Sequence, residues 1–190
     1  MKVYKIVLTG GPNGGKTKII ERLKDYLNST GYNVILIPET AREIIAAGIK
    51  PNPSNKKYTL WFQDLIMRYQ AIKEQSAEVY ANISKKNTVI LYDRAIPDNF
   101  AYLDSYVDYK NLLKKNNLKE LELIDNYDLI INLSSLANFE NYNYENDSER
   151  TENRELSKLL DYKTSTSYLL SRNLKIIYPT NNIDEKYNII

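Results

Sequence analysis

Four of the six glycines in this chain lie within residues 10–15, inside the segment TGGPNGGKT at residues 9–17. Glycine is favoured where the backbone takes a positive φ angle or where another group approaches it closely. A β-branched, apolar run at residues 2–9 precedes the segment and predicts a buried strand, and apolar residues with helical spacing follow it at residues 16–27. The fold is therefore restricted to those in which a tight loop joins a strand directly to a helix.

The rest of the chain continues this alternation. Strands are predicted at residues 33–37, 88–92, 129–133 and 174–178, and helices at residues 39–47, 58–84, 97–125 and 152–172. The longest helix carries these apolar residues at helical spacing: Phe62, Leu65, Ile66, Tyr69, Ile72, Val79 and Ile83. The pattern predicts an α/β fold with a parallel sheet covered by helices on both faces. No repeat or linker divides the chain, so residues 1–190 are expected to form a single domain.

Composition limits the chemistry. The chain has no cysteine and no histidine, which excludes disulfides, thiol nucleophiles, imidazole bases and most transition-metal sites. Any catalysis must use carboxylates, lysine, arginine or hydroxyl groups, with or without a hard cation. The 26 basic and 24 acidic residues leave a net charge of +2, so nucleic acid is not expected as a partner.

The sequence also has no run of eighteen apolar residues and no cleavable leader pattern at its start. We therefore expect a cytoplasmic protein without a membrane partner. A homodimeric assembly stays open at this point.

The glycine-rich segment has the spacing of a phosphate-binding loop. Gly10, Gly15, Lys16 and Thr17 match the pattern G-x-x-x-x-G-K-[ST]. In such a loop, backbone N–H groups surround the phosphates of ATP or GTP, the lysine reaches the β- and γ-phosphates, and the hydroxyl ligates Mg²⁺. The predicted nucleotide-binding residues of the loop are Gly11, Pro12, Asn13, Gly14, Gly15, Lys16, Thr17 and Lys18.

Three charged residues follow predicted strands, where ligands of parallel sheets bind. Asp93 ends an apolar strand and is a candidate Mg²⁺ ligand together with Thr17. Arg94 is a candidate for stabilising the transferred phosphate, although a salt bridge at the rim would use the same residue. Glu39 fits equally well as a general base and as an acidic residue in the first turn of a helix.

A polar stretch at residues 134–149, without clear periodicity, is expected to be a mobile surface segment. Arg150 and Arg154 lie beside it, so residues 134–154 are a candidate lid that brings arginines to phosphates; solvated helix charges are the alternative. Phe62 and Gln63 could bind a planar base, but Phe62 also belongs to the apolar stripe, so core packing is the preferred role for it.

The chain resembles the family of P-loop ATPase/kinase domains that includes nicotinamide riboside kinase domains and the N-terminal nucleotide-binding domain of the TRPL translocation defect proteins. The resemblance rests on TGGPNGGKT, PETAREIIAAGI, LYDRAIPDNFAY, YDLIINL and RTENRELSKLLD, in this order. It implies a P-loop NTPase fold of three α/β/α layers, kinase-type strand order 2-3-1-4-5, ATP or GTP with Mg²⁺, Asp93 in the metal site and Arg150 in a lid. The chain departs from the family at Ala95, where glycine usually follows the Asp-Arg pair.

The function expected from these residues is phosphoryl transfer from ATP to a hydroxyl of a small nucleoside-like acceptor. Glu39, Phe62-Gln63 and Asp93-Arg94 are also similar in arrangement to those of deoxynucleoside kinases. The expected catalytic residues are Lys16, Glu39, Asp93, Arg94 and Arg150, with either Glu39 or Asp93 as the general base. Arg150 and Arg154 are added to the nucleotide-binding set. The alternative is a regulatory ATPase or GTPase that acts as a switch on a protein partner.

Overall fold

The computed structural model describes residues 1–138, 154–180 and 182–190. Within them, five strands form one parallel sheet in the order β2-β3-β1-β4-β5. The strands are β1 (Val3–Thr9), β2 (Asn33–Ile37), β3 (Thr88–Asp93), β4 (Leu129–Leu133) and β5 (Leu174–Ile177). The predicted fold class and strand order 2-3-1-4-5 are therefore confirmed.

Helices connect the strands and begin at side chains suited to that position. They are α1 (Lys16–Ser29), α2 (Thr40–Ala46), α3 (Lys56–Ser84), α4 (Tyr106–Lys115), α5 (Glu120–Asp125), α6 (Arg154–Thr166) and α7 (Ile183–Ile189), with 3-10 turns at Ile96–Tyr102 and Leu136–Asn138. The side chains of Asn55, Ser105 and Asn182 accept a hydrogen bond from the first turn of α3, α4 and α7 respectively.

Apolar side chains alternate between the two faces of the sheet and build two cores. On one face, Val7 and Ile90 pack with Ala77 and Ala81 of α3. On the other, the neighbouring strand residues pack with α1 and with apolar residues of α7: Leu8, Leu91, Ile131, Ile19, Ile20, Ile183 and Tyr187. The helices thus form layers above and below the sheet.

The prediction that the apolar stripe of α3 is buried is wrong in part. Phe62 is buried as expected, in a cluster with Ile44 and Ile66. However, the other end of the stripe is exposed, namely Tyr69, Ile72, Val79 and Ile83. The side of α3 that faces the sheet is formed instead by smaller or polar residues, Gln70, Glu74, Ala77 and Ala81.

Two further predictions, on where the polar segment begins and on the helices near the C-terminal end of the sequence, differ from the structure. Ser134 and Ser135 are buried, so the expected mobile surface segment does not begin at residue 134. Residues 139–149 of that segment, and Arg150 after it, lie outside the described residues. Helix α7 was not predicted, and α6 ends at Thr166 rather than at residue 172. Among the described helices, none combines the length and the apolar character that crossing a membrane requires.

Candidate active site

The glycine-rich loop lies between β1 and α1 and packs directly against the end of β4. Gly10 has a φ angle of 130°, and a Cβ atom added to it would lie 2.1 Å from the carbonyl oxygen of Leu133. A Cβ added to Gly14 would lie 2.5 Å from the same oxygen. Both positions therefore require glycine because the loop and β4 are in contact through their backbones.

A buried carboxylate of α6 holds this loop from behind. Asp161 Oδ1 accepts hydrogen bonds from the backbone N–H groups of Gly11 at 2.9 Å and Ser135 at 3.0 Å. Its Oδ2 accepts one from the Ser134 hydroxyl at 2.8 Å. The same side chain thus joins the loop to the end of β4. Sequence reasoning gave Asp161 no role, because no local pattern distinguishes it from other acidic residues of an amphipathic helix.

Lys16, the lysine of the loop, is buried and turned toward its own loop. Its Nζ donates to the carbonyl oxygens of Gly10 at 3.0 Å and Gly11 at 2.9 Å. Burial lowers the pKa of Lys16 to about 7, and the positive charge of Arg94 adds to this effect. An anion bound beside Lys16 would oppose both causes and stabilise the charged ammonium.

Asp93 ends β3 next to this lysine-containing loop. Its side chain is buried, and Oδ1 has no hydrogen-bond partner among the described residues. Burial raises the pKa of Asp93, with a further contribution from Glu39, whereas Lys16 and Arg94 act in the opposite direction. A buried carboxylate oxygen without a partner is available to a cation.

Arg94 joins two carboxylates in the wall of the site. Its Nε lies 3.2 Å from Glu39 Oε1, and its NH1 lies 3.1 Å from Asp98 Oδ1. Burial tends to raise the pKa of Glu39, but Arg94, Lys16 and Arg42 outweigh burial and the pKa is lowered. Glu39 therefore remains ionised. Glu39 occupies the N-cap position of α2 and makes no capping hydrogen bond with its side chain, so the roles of general base and of acidic residue at a helix start both stay predictions.

Asp98 organises the turn after β3. Its carboxylate also accepts from the hydroxyl of Thr9, from the Tyr168 hydroxyl at 2.5 Å and from the Ala95 backbone N–H at 2.9 Å. Ala95 has φ −137° and ψ 179°, which is extended backbone that any residue adopts. The alanine at this position is therefore compatible with the turn.

These residues surround one cavity of about 900 Å³. Most of the predicted site residues line it: Pro12, Asn13, Gly14, Gly15, Lys16, Thr17, Lys18, Glu39, Asp93 and Arg94. Gly11 is a buried residue of the loop and does not line the cavity. Arg154 does not line it either, and its Nε donates to the Ala137 carbonyl at 3.2 Å. Phe62 and Gln63 are buried and do not line it either.

The unpredicted helix α7 contributes a third lysine, Lys186, to the cavity lining. The Nζ of Lys186 donates to the carbonyl oxygens of Gly14 at 2.9 Å and Ser134 at 3.1 Å. Burial lowers the pKa of Lys186 to about 8, while Asp161 has the opposite effect. Lys186 therefore fixes the outer part of the loop as Asp161 fixes the inner part. The pattern Asn182-x-x-Glu185 was the available sequence signal, because it is typical of a helix start.

The family model described as "AAA domain" matches residues 5–186. The chain belongs to this AAA domain family. The match extends from β1 into α7 and therefore includes both lysines that contact the loop.

Two kinases are similar to this AAA domain chain. A thymidylate kinase from Mesoplasma florum is 28% identical over 130 residues, which is 60% of this chain and 57% of that protein, so the match spans little more than half of the relative's length. The crystal structure of thymidylate kinase from Ehrlichia chaffeensis superimposes with a TM-score of 0.65 at 15% identity, covering 100% of this chain and 97% of that one. The similarity to the Ehrlichia chaffeensis structure shows the fold alone.

Proposed function

We propose that this protein transfers a phosphoryl group from ATP or GTP to a small nucleoside-like acceptor. The observation that carries the proposal is the cavity that Lys16, Thr17, Glu39, Asp93 and Arg94 line together. Lysine and loop amides suit the phosphates of a nucleotide, and carboxylates beyond them suit a metal and an acceptor. The similarity to a thymidylate kinase over 130 residues supports the same class of reaction.

Thr17 and Asp93 fit a magnesium ion bound together with nucleotide phosphates. Asp93 Oδ1 is buried without a hydrogen-bond partner among the described residues, and Thr17 lines the same cavity. No group of three or more potential ligands from Asp, Glu, His or Cys occurs in the part of the chain that the structure describes. This suits Mg²⁺, which usually takes one or two protein ligands plus phosphate oxygens and water. When bound, the ion would offset charge on the phosphates.

Glu39 is the proposed general base for an acceptor hydroxyl. It is ionised, lines the cavity and is held by Arg94, so it can take the proton of the hydroxyl while the oxygen forms its bond to phosphorus. The bond from that phosphorus to the leaving oxygen of the nucleotide breaks, and the leaving group departs as the diphosphate. Lys16 and Arg94 would offset the negative charge that develops.

Other parts of the proposal rest on the sequence. Of the expected lid at residues 134–154, Ser134 and Ser135 are buried and fixed by Asp161, so the proposal is restricted to the part that follows them. Arg150 in that part is proposed to approach the phosphates, and Arg154 remains a candidate there, although its Nε donates to the Ala137 carbonyl. We also propose a more specific relationship to nicotinamide riboside kinase domains, based on the motifs PETAR and DRAIPD. We further propose that residues 1–190 form a single functional domain. The proposed location is the cytoplasm, where ATP is available.

A nucleoside monophosphate is the second candidate acceptor. The name of the Mesoplasma florum relative indicates that it acts on thymidylate, whose accepting oxygen belongs to a phosphate. Arg42 lines the cavity and extends into solvent, so it could hold such a phosphate. The similarity to a kinase does not favour the switch alternative.

The test is release of ADP or GDP in the presence of Mg²⁺ and a panel of nucleosides, nicotinamide riboside and nucleoside monophosphates. We expect release that depends on one class of acceptor, loss of release in Lys16→Met, and unchanged release in Lys24→Met, which alters an exposed lysine elsewhere on α1. Equal hydrolysis with and without every acceptor would reject the kinase and favour the switch.

A further inference from the structure

Gln70 of α3 is a buried polar residue that contacts two segments of the candidate active site. Its side-chain oxygen, Oε1, accepts a hydrogen bond from the Thr40 hydroxyl at the start of α2. Its side-chain nitrogen, Nε2, donates to the backbone carbonyl of Arg94 at 3.3 Å. Gln70 is 3% exposed and does not line the cavity. Any influence on the site therefore acts through Thr40 and Arg94 and not through a contact with a ligand.

The two segments that Gln70 joins lie beyond the paired part of the sheet. The pairing of β2 with β3 ends with Ile37 opposite Tyr92. Glu39 and Arg94 each follow two residues later, where the sheet ladder no longer joins the two segments. Their side chains form an ion pair there, with Arg94 Nε 3.2 Å from Glu39 Oε1. Gln70 provides a second connection, from the residue after Glu39 to the backbone of Arg94.

Arg94 has a backbone conformation that needs such support. Its φ angle is 67°, in the left-handed region that residues with a side chain rarely adopt. A residue in this region persists there only where the surrounding structure holds it. The backbone N–H of Arg94 donates to the Leu8 carbonyl at 2.9 Å, and its backbone carbonyl accepts from Gln70. Gln70 therefore holds one of the two backbone polar groups of a strained residue whose side chain reaches Glu39.

Glu74, one helical turn further along α3, determines which way the amide of Gln70 points. Glu74 Oε1 accepts from Gln70 Nε2 at 2.9 Å, and its Oε2 accepts from the Tyr127 hydroxyl at 3.0 Å. The amide nitrogen of Gln70 must therefore face Glu74 and Arg94, which leaves the amide oxygen for Thr40. Burial raises the pKa of Glu74 to about 7, so its position costs free energy. An apolar pair at residues 70 and 74 would avoid this cost, and the polar pair therefore indicates a role beyond packing.

We propose that Gln70 is a positioning residue for phosphoryl transfer and holds Glu39 and Arg94 at the separation that the reaction requires. The inference rests on the proposed function, in which Glu39 accepts the proton of the acceptor hydroxyl and Arg94 offsets charge on the phosphoryl group. A displacement on the order of 1 Å in such groups can cost about 100-fold in rate. Among the described residues, the hydrogen-bond partners of the Gln70 side chain do not include the glycine-rich loop, so nucleotide affinity should not depend on it.

The first experiment compares Gln70→Met with Gln75→Met. Both changes remove a side-chain amide from α3 and keep an unbranched side chain, but Gln75 is exposed. Measured with the acceptor that supports ADP release, Gln70→Met should lower kcat by about 10- to 100-fold without raising the dissociation constant of a fluorescent ATP analogue. Gln75→Met should behave as the wild type. An unchanged kcat in Gln70→Met, or a loss of nucleotide affinity as large as the loss of kcat, would overturn the proposal.

Thr40→Val tests the same connection from its other end and keeps the proposal testable if Gln70→Met folds poorly. The change removes the hydroxyl that donates to Gln70 and keeps the branched shape of the side chain. It should also lower kcat without a change in nucleotide affinity. The double variant should be little slower than Gln70→Met alone, because both changes break one connection. Losses of kcat that multiply in the double variant would refute the connection through Thr40.

Hydrogen exchange provides a readout that does not require catalysis. Gln70→Met should speed amide exchange in residues 38–44 and 93–98, the two segments that Gln70 joins, whereas Gln75→Met should leave it as in the wild type. If no acceptor supports ADP release by the wild type, the proposed function fails, and exchange alone then decides whether Gln70 holds the two segments. Unchanged exchange in both segments would overturn the inference, whether or not the protein is a kinase.

Discussion

Replacing the loop lysine should change how the stability of the protein depends on pH. The pKa of Lys16 is about 7 in the folded chain, against 10.5 for an exposed lysine, chiefly because of burial. Between these two pH values the unfolded state carries one more proton than the folded state. The free energy of unfolding of the wild type should therefore rise with pH in this window, by roughly 1.4 kcal/mol per pH unit and by a total on the order of 5 kcal/mol.

The variant Lys16→Met keeps an unbranched side chain but has no charge, so this pH dependence should be absent from it. Relative to the wild type, Lys16→Met should be most stable at and below pH 7, and its relative advantage should disappear toward pH 10.5. The two hydrogen bonds to the Gly10 and Gly11 carbonyls are lost at every pH. Their loss changes the size of the stability difference between the two proteins but not the slope of that difference with pH.

Urea unfolding of both proteins across this pH range measures the difference directly, because titrating groups that do not interact with Lys16 contribute equally to both proteins. Lys24→Met, which alters an exposed lysine of α1, should run parallel to the wild type. Parallel curves for Lys16→Met and wild type would show that burial does not hold Lys16 partly neutral. Phosphoryl transfer should be lost in Lys16→Met even where the fold is stabilised, since this lysine is proposed to serve a ligand rather than the core.

Three other substitutions separate the roles within the cavity. Asp93→Asn should weaken both nucleotide binding and its dependence on Mg²⁺, measured with a fluorescent ATP analogue; unchanged binding at limiting Mg²⁺ would make Asp93 structural. Glu39→Gln should lower turnover by about 10²–10⁴-fold with little change in nucleotide affinity, and a parallel loss of affinity would assign Glu39 to the phosphate site. Asp161→Asn should lower the free energy of unfolding by about 1.5–3 kcal/mol, because a charged acceptor of the hydrogen bonds from the loop and from β4 is lost; wild-type stability in urea unfolding would contradict this role.

The sheet was predictable because each strand is a short apolar run that stops at a turn residue, and β2 and β4 have the predicted bounds. The buried side of α3 was not predictable in the same way. Apolar residues occur on both sides of that helix, and the side that packs on the sheet includes Gln70 and Glu74. Periodicity identifies a helix but cannot show which of two apolar faces is buried within the chain.

The loop and the carboxylates after the strands were predictable from local patterns, whereas Asp161 and Lys186 were not. Asp161 is 150 residues from Gly11, and Lys186 is 172 residues from Gly14. Their importance arises only from contacts made by the folded chain. Helix α7 was missed because seven residues contain too few turns for a clear helical period.

The contacts of Asp161 and Lys186 determine when the glycine-rich loop can reach its final conformation during synthesis. Residues 10–17 are synthesised well before the side chains that hold their backbone, which follow 150 and 172 residues later in the chain. Central strand β1 likewise pairs with β3 and β4, which are distant in the chain. Such long-range contacts form late and slow the search for the native state. A nascent chain that has not yet added α6 and α7 should therefore fail to retain nucleotide, and nucleotide retention would report completed folding on the ribosome.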